Sequence, residues 1–382
     1  MVRKMQRGKK IQLNCEVLTF FLLHNIITRV RRGVATFCAR TRMTQTAHHI
    51  KPSLYSPMCV LLADVHVAVV VPCYKVERSI EAVVAGIPEY IRSIILVNDA
   101  SPGETPQILD RLAQDQPGRV FVVHLPHNQG VGGAVLAGWE QAIQMDAEIV
   151  VKMDGDGQMD PEYLPDLLEP LLFGKADYSK GNRFHTSDVL GKMPLVRLIG
   201  NAGLSFLNRL ASGYWKTLDP TNGYFAIRAE VISRLQAKRI SRRYFFESSL
   251  LLELGIRRAV VHDVPMRTIY GEEQSHLSAR KCLFEFPPKL FVGFLRRVLC
   301  TKFLLDTSPD FLLGSIGFLL LLFGVIWGVV KYVQFAVLGV PATAGTAMIA
   351  ALPSILGFQM CLTAIQMDFQ SVPICTPNTT DC

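Results

Sequence analysis

The sequence predicts an α/β domain with a mostly parallel sheet, followed by amphipathic juxtamembrane helices and two transmembrane helices. Apolar runs alternate with helical stretches of about ten residues from His66 to Lys152, a pattern typical of right-handed βαβ units. Polar residues follow these runs at the ends where parallel strands terminate. Residues 311–330 are an uncharged apolar run long enough to cross a bilayer core of about 30 Å.

The composition places most of the charge in one tail. The chain has 382 residues, of which 49% are hydrophobic, and a net charge of +8. Residues 1–57 contain 11 basic residues and one acidic residue, so they carry +10 and the remainder −2. This distribution argues against a nucleic-acid-binding face. The nine cysteines form no C-x-x-C pair, which favours a reducing compartment and implies neither a zinc site nor a disulfide framework.

Composition also divides the chain into segments. Residues 1–60 are expected to be a basic extension, either disordered or the product of a start assigned too early, with Met58 as the alternative initiator. The expected order of the remaining segments is an α/β domain (61–280), amphipathic interfacial helices (281–308), a two-span hairpin (309–368) and a short tail (369–382).

The α/β region can be followed element by element. Its first half is predicted to contain strands at 66–72, 91–101, 119–124 and 149–153, with helices at 77–85, 104–114 and 134–145 between them. The second half is more irregular, with a strand within 176–184, a helix at 195–212, a segment at 217–230, a helix and strand within 245–266, and a polar loop at 267–278.

Four polar sites follow strands of the predicted sheet. Pro72 and Tyr74 follow the first strand, Asp99 the second, Asn128 the third, and the pair at 154 and 156 the fourth. Ligands of open α/β sheets bind beyond the carboxyl ends of the strands. The sequence therefore predicts one binding site at this edge.

The fourth strand leads into the stretch EIVVKMDGDGQMDP, residues 148–161. Asp154 and Asp156 lie one residue apart on glycine-flanked backbone, and Gln158 adds a neutral oxygen. An all-oxygen set of this kind suits Mg²⁺ or Mn²⁺ shared with substrate phosphates. The alternative interpretation is an Asp/Gly turn between two elements.

The C-terminal part predicts membrane attachment. A second apolar span is expected at about 345–367, since no charge occurs between Lys331 and Asp368. The preceding segment, 281–305, intersperses basic residues with Phe and Leu, as in helices that lie on an anionic membrane surface. Its basic residues are Lys281, Lys289, Arg296, Arg297 and Lys302. The basic flank predicts a cytoplasmic α/β domain.

Several motifs together resemble the family 2 glycosyltransferases. They are VVPCYKVE, VNDAS, NQGVGGAVLAG, KMDGDGQMDP, KGNRF and DPTNGYFAIR, followed by the membrane hairpin. Over about residues 65–370 the chain is similar to dolichol-phosphate mannose synthases and to bacterial polyprenyl-phosphate sugar transferases with two C-terminal spans. The resemblance implies a GT-A fold, a GDP-mannose or UDP-glucose type of donor, an undecaprenyl or dolichyl phosphate acceptor, a divalent metal, inversion at the anomeric carbon and a bacterial inner membrane.

The resemblance also implies roles for individual residues. The nucleotide sugar would be bound by Pro72, Tyr74, Glu77, Asp99, Gly132 and Asp154. The metal ligands would be Asp154, Asp156 and Gln158, while Arg183 and Arg197 would hold the acceptor phosphate. Asp219 matches the acidic residue of the family's Asp-x-x-x-Gly-Phe stretch and would belong to the catalytic group with Asp154, Asp156 and Arg183.

The polar loop 267–278 departs from the family pattern. Arg267 is one place further from Gly271 than in the dolichol enzymes, two residues are inserted, and His276 occupies a lysine position. Both residues are expected to contact the donor. The longer loop fits the bacterial subgroup with a membrane hairpin.

Simpler interpretations of single residues remain open at this stage. Gly132 and its neighbours would serve a tight loop, and Asp219 would cap a turn at Pro220. Arg197 would be a solvated side chain, and Glu247 would complement a helix dipole.

Two other functions are also considered. A transferase acting on a saccharide hydroxyl in polysaccharide or cell-envelope synthesis is disfavoured because the sequence has no Gln-x-x-Arg-Trp motif. A non-enzymatic scaffold is disfavoured because Asp154 and Asp156 are both present. The expected partners are the donor, the lipid acceptor and the bilayer, and a homo-oligomer is left open.

Overall fold

In the computed structural model of the chain, the described residues are 62, 64–183, 195–266, 279–304 and 308–373. The chain divides into two units, Met1–Val65 and His66–Cys382, and every helix and strand named below lies in the second. The predicted basic extension, residues 1–60, lies outside the described residues.

The first half of the α/β domain is a regular series of βαβ units. Its elements are β1 (Val67–Cys73), α1 (Ile80–Gly86), β2 (Ser93–Asn98), α2 (Thr105–Asp115), β3 (Val120–His124), α3 (Val131–Gln144) and β4 (Ile149–Lys152). Strands β1, β2 and β4 are buried along their whole length. This burial explains why they read as continuous apolar runs instead of alternating ones. These four strands pair in parallel in the order β3-β2-β1-β4.

The second half extends the same sheet with one reversed strand. It contains α4 (Leu164–Leu172), β5 (Tyr178–Asn182), α5 (Leu195–Ser212), β6 (Phe225–Arg228), α6 (Ala229–Arg234), α7 (Phe246–Ile256) and β7 (Val261–Pro265). The full order is β3-β2-β1-β4-β6-β5-β7, in which β6 runs antiparallel to both of its neighbours. The mostly parallel sheet is confirmed, although the sequence did not predict the reversal at β6.

Helices α3 and α7 cover one face of the sheet around an aromatic cluster. The ring centroid of Trp139 lies 6.3 Å from that of Phe225 and 6.0 Å from that of Phe246. Almost all of α7 is buried, including Leu250 and Leu254. The sequence of α7 is apolar because the helix is enclosed on all sides. The first turn of α7 lies at the carboxyl end of β4.

Helix α8 (Ala279–Val298) continues into a π-helical segment, Leu299–Leu304. On one side, Phe286 and Leu290 are buried against Leu252 of α7. On the other, Phe291 and Leu295 are exposed. The described side chains of α8 thus form two faces. One packs against the α/β domain, and the other is apolar and exposed, as expected of an interfacial helix.

Two long apolar helices end the described chain. They are α9 (Pro309–Leu338) and α10 (Ala344–Gln370), and both are long and apolar enough to cross a membrane. Gly339 ends α9 with a φ of +66°, a left-handed conformation that glycine adopts without a steric penalty. The helices pack closely at Gly357, where an added Cβ would lie 2.4 Å from the backbone nitrogen of Leu321.

A buried ionic cluster joins the hairpin to the α/β domain. The Nη1 and Nη2 atoms of Arg297, near the end of α8, donate to the two oxygens of Asp368 in α10, each at 3.0 Å. Lys302 contacts Asp368 at 2.6 Å and also pairs with Asp310 in α9. From the domain side, the indole nitrogen of Trp215 donates to Asp368 at 3.0 Å. Buried ion pairs and one indole hydrogen bond thus connect the hairpin to the α/β domain.

Candidate active site

The sheet brings the predicted site residues to one edge. Because β1 lies between β2 and β4, Tyr74, Asp99 and Asp154 follow three adjacent parallel strands. The backbone N–H of Asp99 donates to the carbonyl of Cys73 at 3.0 Å, which ties the ends of β2 and β1 together. The convergence that the sequence predicts is therefore present for these residues.

The DGDG loop, residues 154–157, is fixed by local hydrogen bonds. The Oδ1 atom of Asp156 accepts from the backbone N–H of Gln158 at 2.9 Å. The hydroxyl of Ser79, just before α1, donates to the carbonyl of Gly155 at 2.6 Å. Gly157 has a φ of +77°, which favours glycine at this turn. The loop is thus an ordered turn that carries both carboxylates.

The donor atoms of this loop fit a hard divalent cation. Two carboxylates and the Gln158 side-chain oxygen are the ligand types that Mg²⁺ and Mn²⁺ prefer. Among the described residues, no group of three or more Asp, Glu, His or Cys side chains could hold a metal by itself. The set therefore fits a metal whose coordination is completed by substrate phosphates and water, and not a closed protein cage.

Asp154 is paired with a buried lysine that the sequence analysis did not single out. The Nζ atom of Lys152 lies 2.5 Å from Oδ1 of Asp154, and the lysine side chain is only 1% exposed. Glu247 lies nearby, in the first turn of α7. Burial raises the pKa of its carboxyl, and the positive charge of Lys152 lowers this pKa by a smaller amount. The signal was visible in the sequence as a lysine within an otherwise apolar strand.

The predicted nucleotide-binding residues differ in accessibility. Pro72 is buried at the end of β1, whereas the side chain of Tyr74 is 46% exposed at the sheet edge. Glu77 accepts a 2.6 Å hydrogen bond from the hydroxyl of Thr105, which lowers the pKa of the glutamate carboxyl. The Glu77 carboxylate thus already joins the start of α2 to the β1–α1 loop.

Asp99 holds the loop that precedes α3. Its side chain is buried, and its two oxygens accept from the backbone N–H groups of Gln129 at 2.6 Å and Gly130 at 2.8 Å. The role of Asp99 toward a base or ribose stays a prediction, because its visible contacts are to this loop. Gly132 lies in the first turn of α3, where an added Cβ would lie 2.2 Å from the carbonyl oxygen of Ser241. That approach shows a packing role for Gly132.

Arg183 and Asp219 form a two-point ion pair on the other side of the edge. Nε of Arg183 donates to Oδ2 of Asp219 at 2.7 Å, and Nη2 donates to Oδ1 at 3.0 Å. Asp219 is fully buried. Burial alone raises the pKa of this carboxyl, but Arg183 and nearby Lys180 lower it below its ordinary value. The carboxylate is therefore ionised and already bonded.

This geometry bears on the catalytic role predicted for Asp219. The carboxylate of Asp219 has no solvent exposure, and both of its oxygens are bonded to the guanidinium of Arg183, an arrangement that orients this arginine. The turn-capping alternative is also met in part, since the hydroxyl of Thr221 donates to Oδ1 of Asp219 at 3.4 Å. The catalytic role of Asp219 stays a prediction, and its contacts in the structure are those of a residue that orients Arg183.

The side chains of three predicted contact residues lie outside the described residues. Arg197 belongs to α5, but its side chain lies outside the described residues, as do Arg267 and His276 on the polar loop. Their roles stay predictions.

Several apolar side chains lie on the segments between Asp219 and the second apolar helix, α10. Leu218, next to Asp219, is exposed, and its carbonyl accepts from the hydroxyl of Ser205 at 3.2 Å. The ring centroid of Phe206 lies 6.0 Å from that of Trp215, which in turn lies 6.0 Å from that of Phe369 in α10. Leu218, Phe206, Trp215 and Phe369 form what we term the apolar series.

Comparisons with known proteins agree with this arrangement. Residues 68–236 match the family described as Glycosyl transferase family 2. The UDP-N-acetylglucosamine–dolichyl-phosphate N-acetylglucosaminyltransferase of Methanococcus voltae is 29% identical over 223 residues, which cover 55% of this chain and 88% of that protein. The polyprenol monophosphomannose synthase of Mycolicibacterium smegmatis is 30% identical over 230 residues, covering 57% of this chain and 84% of that protein.

A solved structure also aligns with the chain. The crystal structure of glucosyl-3-phosphoglycerate synthase from Mycobacterium tuberculosis in complex with UDP has 20% sequence identity and a TM-score of 0.48. The alignment covers 66% of this chain and 86% of that one.

Proposed function

The chain belongs to glycosyl transferase family 2 and is a glycosyltransferase with a GT-A-like domain, and we propose that it transfers a hexose from a nucleotide sugar to a polyprenyl phosphate. The donor is of the GDP-mannose or UDP-glucose type. Relatives from Methanococcus voltae and Mycolicibacterium smegmatis carry names that specify a dolichyl phosphate acceptor and a polyprenol monophosphomannose product. These names support the acceptor class.

One observation carries the proposal, which is the apolar series beside an oriented arginine. The guanidinium of Arg183 is held by Asp219, immediately next to the exposed Leu218. The other members of the series, Phe206, Trp215 and Phe369, contact one another ring to ring, and Phe369 lies near the end of α10. A polyprenyl phosphate has the matching order of groups, with an anion at one end of an apolar chain that lies in a bilayer. The planar guanidinium fork suits such a phosphate.

The chemistry of this acceptor needs no strong general base. The second pKa of a phosphomonoester is about 6, so the attacking oxygen is already anionic near neutral pH. This agrees with the burial of Asp219, which leaves it unable to accept a proton from a substrate. The phosphate oxygen forms the bond to the anomeric carbon while the bond to the nucleoside diphosphate breaks on the opposite side, which inverts the configuration.

The protein then has to hold the acceptor phosphate close to the donor diphosphate, although both are anions. Arg183, with Arg197 on α5, holds the acceptor phosphate and reduces its repulsion from the diphosphate. Asp154, Asp156 and Gln158 would hold a divalent metal, which would neutralise charge on the departing diphosphate. Tyr74 and Asp99 follow β1 and β2 at the same edge. Tyr74 would contact the nucleotide, and Asp99 would do so while it holds the loop before α3.

The helices beyond the domain determine where the reaction takes place. We propose an integral membrane protein of the bacterial inner membrane, with α9 and α10 as its spans and the catalytic domain in the cytoplasm. The outward apolar face of α8 lies at the membrane surface, which brings the sheet edge to the depth of lipid headgroups.

A transfer assay tests the proposal. Protein purified in detergent is incubated with radiolabelled GDP-mannose, UDP-glucose or UDP-N-acetylglucosamine, with Mn²⁺ or Mg²⁺ and undecaprenyl phosphate. We expect label from one donor in the organic phase. Release of free nucleotide with a saccharide acceptor, and no label in lipid, would instead assign the protein to transfer onto a hydroxyl.

A further inference from the structure

Lys152 occupies an unusual position for a lysine. It is the last residue of β4, a central strand paired with β1 on one side and β6 on the other. Side chains two residues apart on a strand share a face, so Lys152 extends from the same face as Val150, which belongs to the aromatic core. A buried ammonium group is costly unless it is paired. Its place therefore requires partners.

These partners meet at one point above Gly223. A Cβ added to Gly223 would lie 2.4 Å from Nζ of Lys152, 3.3 Å from Oε1 of Glu247 and 3.4 Å from Oδ2 of Asp154. The ammonium group itself is 2.5 Å from Oδ1 of Asp154. One cation and two carboxylates thus share a space that any side chain at position 223 would fill.

We infer that Lys152 and Glu247 are positioning residues that set the orientation and the net charge around Asp154. By setting this charge, they let the DGDG loop bind both a divalent cation and a nucleoside diphosphate. This inference rests on the proposed function. Lys152 neutralises Asp154 from behind the loop and draws its carboxylate toward the sheet. Glu247 partly offsets the lysine charge. The site can then accept a negatively charged diphosphate without losing its attraction for a cation.

A second buried lysine shows that the pairing is specific. Lys180 on β5 is also fully buried, but its ammonium group donates to the backbone carbonyl of Asp219 and not to the DGDG loop. Burial lowers the pKa of Lys180. The two buried lysines of the sheet thus contact different loops, and of these two Lys152 is the one that contacts a predicted metal ligand.

The inference predicts opposite changes for two ligands, which loss of structure would not produce. Lys152→Met removes a positive charge next to the loop, so Mn²⁺ alone should bind roughly tenfold more tightly and GDP or UDP roughly tenfold more weakly. Glu247→Gln removes a negative charge at the same point and should shift both affinities the other way. Lys152→Arg, which keeps the charge, should remain near the wild type.

The experiment uses the full-length protein in detergent. Free Mn²⁺ is followed by electron paramagnetic resonance in the absence of nucleotide. GDP and UDP are measured by displacement of a fluorescent nucleotide in EDTA. Glu253→Gln is the matched control, because Glu253 is also a buried glutamate on α7 but pairs with Arg296, away from the loop. It should leave both affinities unchanged.

The outcomes separate this inference from the proposed function. If the wild type binds neither nucleotide, with or without Mn²⁺, the proposed function fails. If it binds one, and the variants change both affinities in the same direction or not at all, the assignment of Lys152 and Glu247 is wrong. Should Lys152→Met not fold, Glu247→Gln alone decides, because it is predicted to bind GDP or UDP more tightly, whereas general damage would weaken binding of both ligands.

Discussion

The Arg183–Asp219 pair gives the most quantitative prediction, through the variant Asp219→Asn. The asparagine keeps the shape of the side chain but removes a charge that is fully buried and bonded at 2.7 and 3.0 Å. Breaking a buried pair from one side typically costs about 3 kcal/mol or more, since a buried charge is left uncompensated. Here the buried charge is that of Lys180, which is fully buried, whereas Arg183 is 38% exposed and can be solvated.

That cost can be converted into a melting temperature. In a domain of about 200 residues, each kcal/mol lowers Tm by roughly 2–4 °C, so Asp219→Asn should melt roughly 6–12 °C below the wild type. The matched control is Asp110→Asn, whose exposed carboxylate lies 2.9 Å from His124. An exposed pair is worth about 0.5 kcal/mol, so the control should stay within about 2 °C.

The pH dependence of this difference follows from the pKa of Asp219. Its pKa in the folded protein is below the ordinary value, so the pair contributes fully above the unfolded pKa of about 3.9. The contribution is lost as the pH falls through the lower, folded pKa. The gap in Tm between wild type and variant should thus be constant from about pH 5 to 8 and narrow below about pH 4.

Thermal unfolding in detergent, followed by tryptophan fluorescence across this pH range, measures both effects. In parallel, the transfer assay should show a raised KM for the lipid acceptor, since Arg183 loses its anchor, while the KM for the donor changes little. A variant that melts with the wild type and transfers sugar normally would show that the ion pair neither stabilises the domain nor orients Arg183.

Four further predictions concern other parts of the chain. Asp156→Ala should abolish transfer in a folded protein, and full activity of the wild type in metal-free buffer would contradict the metal role. Arg197→Ala should raise the KM for lipid more than for donor, so an unchanged lipid KM would refute its assignment. Asp368→Asn leaves Arg297 facing a neutral partner and should destabilise the protein by about 3 kcal/mol, while the Kd for nucleotide, measured separately, stays constant. Deletion of residues 1–57 should leave activity intact, and an inactive truncation with a normal melting profile would show that the extension contributes to function.

The sequence predicts the local features of the fold well. The parallel strands from β1 to β4 are continuous apolar runs, and helix α5 has the predicted bounds. Helix α9 extends beyond the predicted span of 311–330 at both ends, since it begins at Pro309 and continues through Lys331 to Leu338. Periodicity and composition are properties of neighbouring residues, so they can be read directly.

Contacts between residues distant in the sequence could not be predicted from local periodicity and composition. Strand β6 reverses the sheet direction, and its four residues, Phe225–Arg228, carry no signal of their orientation. Asp219 meets Arg183 across 36 positions of sequence, which made its partner invisible to local patterns. Lys152 and Asp368 are different, since each is a charge within an apolar run and could have been recognised as a residue that needs a buried partner.

The central claim is that the acceptor is a lipid phosphate, and ³¹P NMR of the lipid product tests it most directly. After reaction with the active nucleotide sugar, the phosphomonoester signal of undecaprenyl phosphate should be replaced by a phosphodiester signal, and undecaprenol without its phosphate should accept no sugar. An unchanged monoester signal, with sugar transferred to undecaprenol or to a saccharide hydroxyl, would contradict the account.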